Sequence, residues 1–244
     1  MSEGHCPAGN PAVAARAPES CDEAPLWIWR HPRARGAEGR CIGHTDLPVD
    51  PRRAKRLAHR IRAAARRNGL PRRVCTSPLQ RARAVGRWLR RWGWRHELHA
   101  QLLEMDFGGW EGRPWTDIAR AEIDTWCADF ALHRPGAGES LSVLFERASR
   151  WTAGPGAACI VVGHAGWMLA RRWLTEGHPL PTHSSQWPAA PRHGELWRLT
   201  SLALPRPMIS ATERQATAAS SHSQAVAALD ACLIEPPVSL ELSR

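Results

Sequence analysis

Three short segments set phosphate-handling side chains directly after apolar runs. Leu26-Trp27-Ile28-Trp29 runs into Arg30-His31, and Val74-Cys75-Thr76 runs into Ser77-Pro78-Leu79-Gln80-Arg81. Cys159-Ile160-Val161-Val162 runs into Gly163-His164-Ala165-Gly166. Arginine carries a permanent charge on a planar fork that matches phosphate oxygens. A neutral imidazole can act as a nucleophile near pH 7. A helix starting at Gly166 would add backbone N–H groups, which favour an anion at a helix N-terminus. One histidine after a strand is ordinary structure. Three such segments ending in two histidines and two arginines define an anion pocket, and a phosphoryl group is the natural anion.

Elements able to hold these segments together are legible in the apolar pattern. The three runs read as strands, the last being the most continuous β-branched stretch and therefore central. Ala54, Leu57, Ala58, Ile61, Ala64 and Ala65 recur at helical spacing, and Asn68-Gly69 with Pro71 should stop that helix. Leu79, Ala82, Val85, Leu89 and Trp92 mark a second amphipathic helix. Leu141, Leu144, Phe145, Ala148 and Trp151 mark a third, Gly166 to Glu176 a fourth, and Glu195 to Leu199 a last strand. The stretch from Glu97 to Gly138 is rich in Gly, Trp and acids, and reads as an irregular insertion or lid. Strands alternating with helices predict a three-layer α/β/α fold around a mainly parallel central sheet. In such sheets ligand groups collect at the carboxyl ends of strands, where the three segments lie.

The 244 residues divide into a disordered leader over 1–24, one catalytic domain over 25–205 and a weakly ordered tail over 206–244. No signal peptide or bilayer-length apolar run is evident, which predicts a cytoplasmic protein without a membrane partner. Seven scattered cysteines, with no Cys-x-x-Cys, predict free thiols rather than disulfides or structural zinc. His178, His183 and His193 lack ligand spacing and are read as incidental; no metal or cofactor is expected. The net charge is +10, and Lys55 is the single lysine among 33 basic residues, which suggests compositional bias. From Arg30 to Arg95 there are 20 basic and three acidic residues; from His96 to Arg150 there are five arginines and ten carboxylates. That asymmetry suits an anionic small molecule or a nucleic acid. The arginine-faced helix over Arg52–Arg67, with Trp88, Trp92 and Trp94 available for stacking, is the basis of the non-enzymatic alternative. Arginine runs are usually solvated faces and tryptophans at helical spacing usually core, so nucleic acid is the weaker expectation.

Four blocks in order resemble the histidine phosphatase superfamily, which includes the phosphoglycerate mutases. They are Leu26–His31, Ser77–Arg81, Leu103-Glu-Met-Asp-Phe-Gly-Gly-Trp-Glu-Gly112 and Val162–Gly166, within a match over about residues 26 to 199. Cys41-Ile-Gly-His-Thr-Asp-Leu-Pro48 and Pro135-Gly-Ala-Gly-Glu-Ser140 are similar to segments of the α-ribazole phosphatases, which dephosphorylate a nucleoside during cobalamin assembly.

The resemblance implies a phosphoglycerate mutase-like fold and a metal-free reaction. His31 would be the nucleophile and form a phosphohistidine. Arg30, Arg81, His164 and the N–H at Ala165 would surround the phosphoryl oxygens. Glu104 would protonate the leaving group, helped by desolvation against Trp110, and then activate water. A small phosphomonoester is the implied partner, α-ribazole 5′-phosphate or the matching cobalamin phosphate in particular, and a homodimer is left open. A mutase is the nearest rival, but the short segment after His31 and the Cys41 block favour hydrolysis. A broad-specificity phosphatase would share the same catalytic residues. Two positions depart from the family pattern: Pro32 stands where glycine is usual, and Ala37 where many relatives have asparagine. Arg33 or Arg35 would replace the lost donor.

Overall fold

The computed structural model describes residues 25–154 and 158–199. The expected leader and tail lie outside the described residues. β1 (Leu26–Arg30), β2 (Arg73–Thr76), β3 (Arg95–Leu98), β4 (Cys159–Gly163) and β5 (Leu196–Leu199) form one sheet in the order β3-β2-β4-β1-β5. β1 to β4 are parallel, with β4 central, while β5 runs antiparallel against β1. The mainly parallel expectation holds.

Alternate residues along each central strand enter opposite cores, as the two-residue repeat of a strand requires. Trp27, Trp29, Val74, Ile160 and Val162 pack with α1 (Pro51–Arg67) and α2 (Gln80–Arg91) through Leu57, Ile61, Val85 and Leu89. Leu26, Ile28, Cys75, Cys159 and Val161 meet α4 (Leu141–Arg150) and α5 (Ala165–Thr175) through Leu144, Phe145, Trp167 and Met168. The strands read as unbroken apolar runs because helices cover both faces. Each large aliphatic side chain buried here stabilises the fold by about 1.5–3 kcal/mol.

Local signals end the helices where the sequence places them. The Asp50 carboxylate accepts the Arg52 N–H at 2.7 Å and Pro51 opens α1. Asn68 closes it, and Gly69 takes the left-handed φ of +61° that an α1 stop of this kind needs.

The structure corrects the expectation for residues 97–138. β3 was not anticipated, because an edge strand spelled Arg-His-Glu-Leu has no apolar alternation. The supposed lid contains α3 (Arg120–Ala128) and contributes to the core: Phe107, Trp110, Trp115, Trp126 and Phe130 are buried. Trp110 and Trp126 meet edge to face with ring centroids 5.8 Å apart. Trp88 and Trp92, by contrast, are only half-buried, and Arg91 and Arg62 lie over their rings at 4.8 and 4.7 Å. Cations therefore already cover ring surface that stacking on bases would use. Among the described residues no helix is long and apolar enough to cross a membrane.

Candidate active site

Strand register brings the three segments together. Arg30 pairs with Gly163 and Thr76 with Val162, so β1, β2 and β4 end at one level. His31, Ser77 and His164 each follow immediately, and the His31 N–H donates to Gly163 O at 3.0 Å. The rings of His31 and His164 lie 4.9 Å apart.

Hydrogen bonding assigns the His31 tautomer. Nδ1 lies 2.7 Å from the carbonyl oxygen of Pro32, which can only accept. Nδ1 therefore carries the hydrogen, and Nε2 keeps its lone pair. Burial holds the His31 pKa well below its usual value, reinforced by His164, Arg81, His193 and Arg30. The departure at Pro32 acquires a role: it lacks an N–H but supplies the carbonyl that orients the ring.

Arg81 and His164 form a second buried unit. Arg81 Nε donates to His164 Nδ1 at 3.2 Å, so the neutral ring carries its hydrogen on Nε2 and donates to Ser77 Oγ at 2.6 Å. Burial also lowers the His164 pKa, followed by the charges of Arg81 and Arg30. Arg81 Nη1 donates to Thr45 O at 2.8 Å and Nη2 donates to Gly43 O. Those bonds use three of the five guanidinium N–H groups.

The Gly43–Thr45 loop that grips Arg81 is organised by Glu111, which sequence reasoning passed over inside its own block. Its carboxylate accepts N–H groups from Gly43 at 3.1 Å, His44 at 2.6 Å, Thr45 at 2.9 Å and Phe107 at 3.1 Å, plus the Thr45 hydroxyl at 2.5 Å. Burial works to raise the Glu111 pKa, but the Thr45 hydroxyl and the backbone N–H donors outweigh it and hold it below its usual value. A side chain on Gly43 would collide with Met105 O, which explains the glycine.

Glu104 reaches the site from the loop after β3. Its carboxylate accepts the N–H groups of Gly166 at 3.0 Å and Trp167 at 3.2 Å. The first turn of α5 thus holds the Glu104 carboxyl group, and Ala165 supplies the first-turn N–H that Glu104 does not take. Trp110 donates its indole N–H to Glu122 at 2.8 Å within the aromatic core and is not among the residues that line the pocket with Glu104. The Glu104 backbone is fixed by His44 Nε2 at 2.9 Å and Arg147 Nη2 at 3.2 Å, and Arg147 is paired with Glu139 at 2.8 Å.

Arg30, His31, Arg81, Glu104 and Ala165 line one pocket. Arg30 is steadied by a 2.6 Å bond from Nη1 to Pro191 O. Arg33 also lines the pocket beside Ala37, whereas Arg35 is exposed and pairs with Asp50 at 3.7 Å. Of the two arginines expected to compensate for Ala37, the structure places only Arg33 there. His164 is fully buried behind these residues, with both ring nitrogens bonded within the protein. His193, read from sequence as incidental, lines the pocket and lies 2.9 Å through Nδ1 from His31 O. Burial lowers its pKa to about 3. No local motif marks His193, because it comes from the loop before β5 and only the fold brings it to His31. Cys75, Glu97 and His99 set donor atoms within 4.8 Å of one another at β2 and β3, but Glu97 is already bonded there by Arg73 at 2.8 Å.

Comparison with known proteins fits this geometry. Residues 26–186 match the model of the histidine phosphatase superfamily, branch 1, and the chain belongs to that superfamily. Its structure is similar to that of TTHB049 from Thermus thermophilus, at 26% identity, covering 73% of this chain and 99% of that one, with a TM-score of 0.54. A mycobacterial glucosyl-3-phosphoglycerate phosphatase is similar at 21% identity, covering 72% and 90%, with a TM-score of 0.56. The structure described as mycobacterial hydrolase 1 is similar at 21% identity, covering 72% and 89%, with a TM-score of 0.59. These last two likenesses concern the fold. No curated protein matches.

Proposed function

We propose that the chain hydrolyses small phosphomonoesters through a phosphohistidine on His31. The reading rests on one observation above others: Nδ1 of His31 is tied to Pro32 O, leaving Nε2 as the nucleophile beside two guanidinium groups. Nε2 attacks phosphorus, the bond to the ester oxygen breaks, and Glu104 gives that oxygen a proton. Water then attacks phosphorus, Glu104 takes its proton, and the P–N bond breaks to release inorganic phosphate. Arg30, Arg81 and the Ala165 N–H neutralise the oxygens in transfer, with Arg33 in place of the usual asparagine. His164 acts by fixing Arg81 and the wall behind His31.

The substrate in this proposal is α-ribazole 5′-phosphate, or the matching cobalamin phosphate, in cobalamin nucleotide-loop assembly. Support comes from the resemblance of Cys41–Pro48, the Glu104 block and Pro135–Ser140 to the α-ribazole phosphatases. A cytoplasmic location belongs to the same proposal. The test is phosphate release from α-ribazole 5′-phosphate, 3-phosphoglycerate and an aryl phosphate, with His31→Ala alongside. Fastest release from the first, lost in the variant, supports chemistry and substrate together. Equal slow rates on all three keep the chemistry and discard the substrate. Release that survives in His31→Ala removes the mechanism.

A further inference from the structure

Compositional bias accounts for the number of arginines in this chain but not for where they stand. Between Asp50 and Glu97 there are 16 arginines and lysines and no carboxylate. On α3, α4 and α5 exposed arginines pair one turn away: Arg120 with Asp124, Arg150 with Glu146 and Arg172 with Glu176. α1 and α2 hold no acidic residue that could do the same.

This charge works against both helices. Arg52, Arg56 and Arg60 follow one another at four-residue spacing, as do Arg62 and Arg66, and Arg83, Arg87 and Arg91. Like charges so spaced repel and weaken a helix. Arg52 and Arg53 also stand in the first turn of α1, where the helix dipole favours acids. Folding gives no reason for the pattern, whereas an anion lying across it does.

α1 and α2 bury their apolar sides in one core and turn their charged sides outward as one face. Along the seam Lys55 and Arg91 lie over Trp88 at 5.2 and 4.8 Å, and Arg62 lies over Trp92 at 4.7 Å. Arg62, Arg66 and Arg72 border a groove of about 540 Å³ that Trp92 and Trp94 also line. None of these residues lines the His31 pocket. The exposed large apolar side chains, Leu98, Leu132 and Val143, lie outside both helices, so the face has no anchor to insert into lipid. Single-strand binders stack unpaired bases on aromatic rings, and here cations already occupy ring surface. What the face offers is arginine forks for phosphates, and a duplex carries the denser row of them.

We propose that the outer face of α1 and α2 binds the phosphate backbone of a double-stranded nucleic acid without reading its sequence. The face is separate from the His31 pocket, so this function stands independently of the phosphatase reading.

Fluorescence anisotropy of the full chain with a labelled duplex of about 20 base pairs, longer than α1, tests it. Binding should be on the order of micromolar at low salt, equal for two unrelated sequences, and steeply weaker as salt rises. One strand alone should bind at least about fivefold more weakly. The triple variant Arg62→Gln, Arg66→Gln, Arg91→Gln should lose at least about tenfold in affinity and flatten the salt slope by about two to three. Arg120→Gln, Arg150→Gln, Arg172→Gln removes the same charge elsewhere and should lose less than about threefold, since distant charges are screened. Thermal melts establish that both variants fold. Equal losses in the two variants would mean that net charge alone attracts the duplex, and would overturn the face as a site. Undetectable duplex binding, a preference for the single strand, or binding to phosphatidylglycerol vesicles in place of the duplex would overturn it as well.

Discussion

Glu104 and Gly166 are fitted to each other: the Gly166 N–H donates to Oε2 at 3.0 Å, and a Cβ on Gly166 would stand 2.5 Å from Oε1. In the first turn of a helix alanine is otherwise the better residue, by up to about 1 kcal/mol. Gly166→Ala should therefore leave the fold near its original stability while pushing the Glu104 carboxylate out of place. The expected outcome is a melting temperature within about 2 °C of the parent and a loss of at least tenfold in phosphate release from an aryl phosphate, as for an acid–base group out of position. A variant as active as the parent would show that Glu104 is not needed where it stands.

Glu111 connects the sequence block around Trp110 to Arg81. Removing it strands four backbone N–H groups and the Thr45 hydroxyl, and frees the loop whose carbonyls hold Arg81. Glu111→Ala should cost about 3 kcal/mol, the scale of losing several bonds to a charged acceptor, and lower the melting temperature by roughly 6–12 °C. Activity measured well below that temperature should still fall, because Arg81 loses its support. A melt unchanged from the parent would refute the role given to this carboxylate.

How much of this was readable in advance depended on whether a residue's partners are near it in sequence. The α1 stop at Asn68-Gly69 is local chemistry, and the central place of β4 follows from an unbroken β-branched run. His31 and His164 were legible because each follows its strand directly, and Arg81 because it lies in the first turn of the helix after β2. β3 was not, since its neighbour β2 lies on one side only and nothing forces apolar alternation. Nor was the aromatic core around Trp126, whose tryptophans obey no single period across turns and α3. His193 and Glu111 act through backbone atoms of residues 162 and about 67 positions away, and no spacing rule reaches that far.

Among the described residues Ser77 is the one acceptor for the Nε2–H of His164, at 2.6 Å. In Ser77→Ala that N–H is left buried and unsatisfied, which should cost about 1–3 kcal/mol. The ring should also become free to turn away from Arg81, with a loss of about tenfold in kcat/KM. Ser77→Thr keeps the hydroxyl and should recover much of the loss. Histidine nitrogen resonances give an independent check. His164 should appear protonated at Nε2 and His31 at Nδ1, and the opposite assignment for either would undo the hydrogen-bond scheme.

Buried neutral histidines make the fold sensitive to acid. In the folded chain burial depresses the pKa of His31 and His164, takes His193 to about 3 and takes His96 to about 4. In the unfolded chain each would titrate near 6.5. The unfolded state therefore binds more protons below about pH 6.5, so stability is full above that pH and declines as pH falls towards the folded values. Each such group removes on the order of 1 kcal/mol per pH unit once the pH is below about 6. Urea midpoints should be flat from pH 7.5 to 6.5 and then drop steadily to pH 5. His193→Gln removes one of these groups and should make the drop shallower by about one proton's worth. A midpoint that does not change between pH 7 and 5 would mean that these histidines take up protons in the fold as readily as in the unfolded chain, and their depressed pKa values would be refuted.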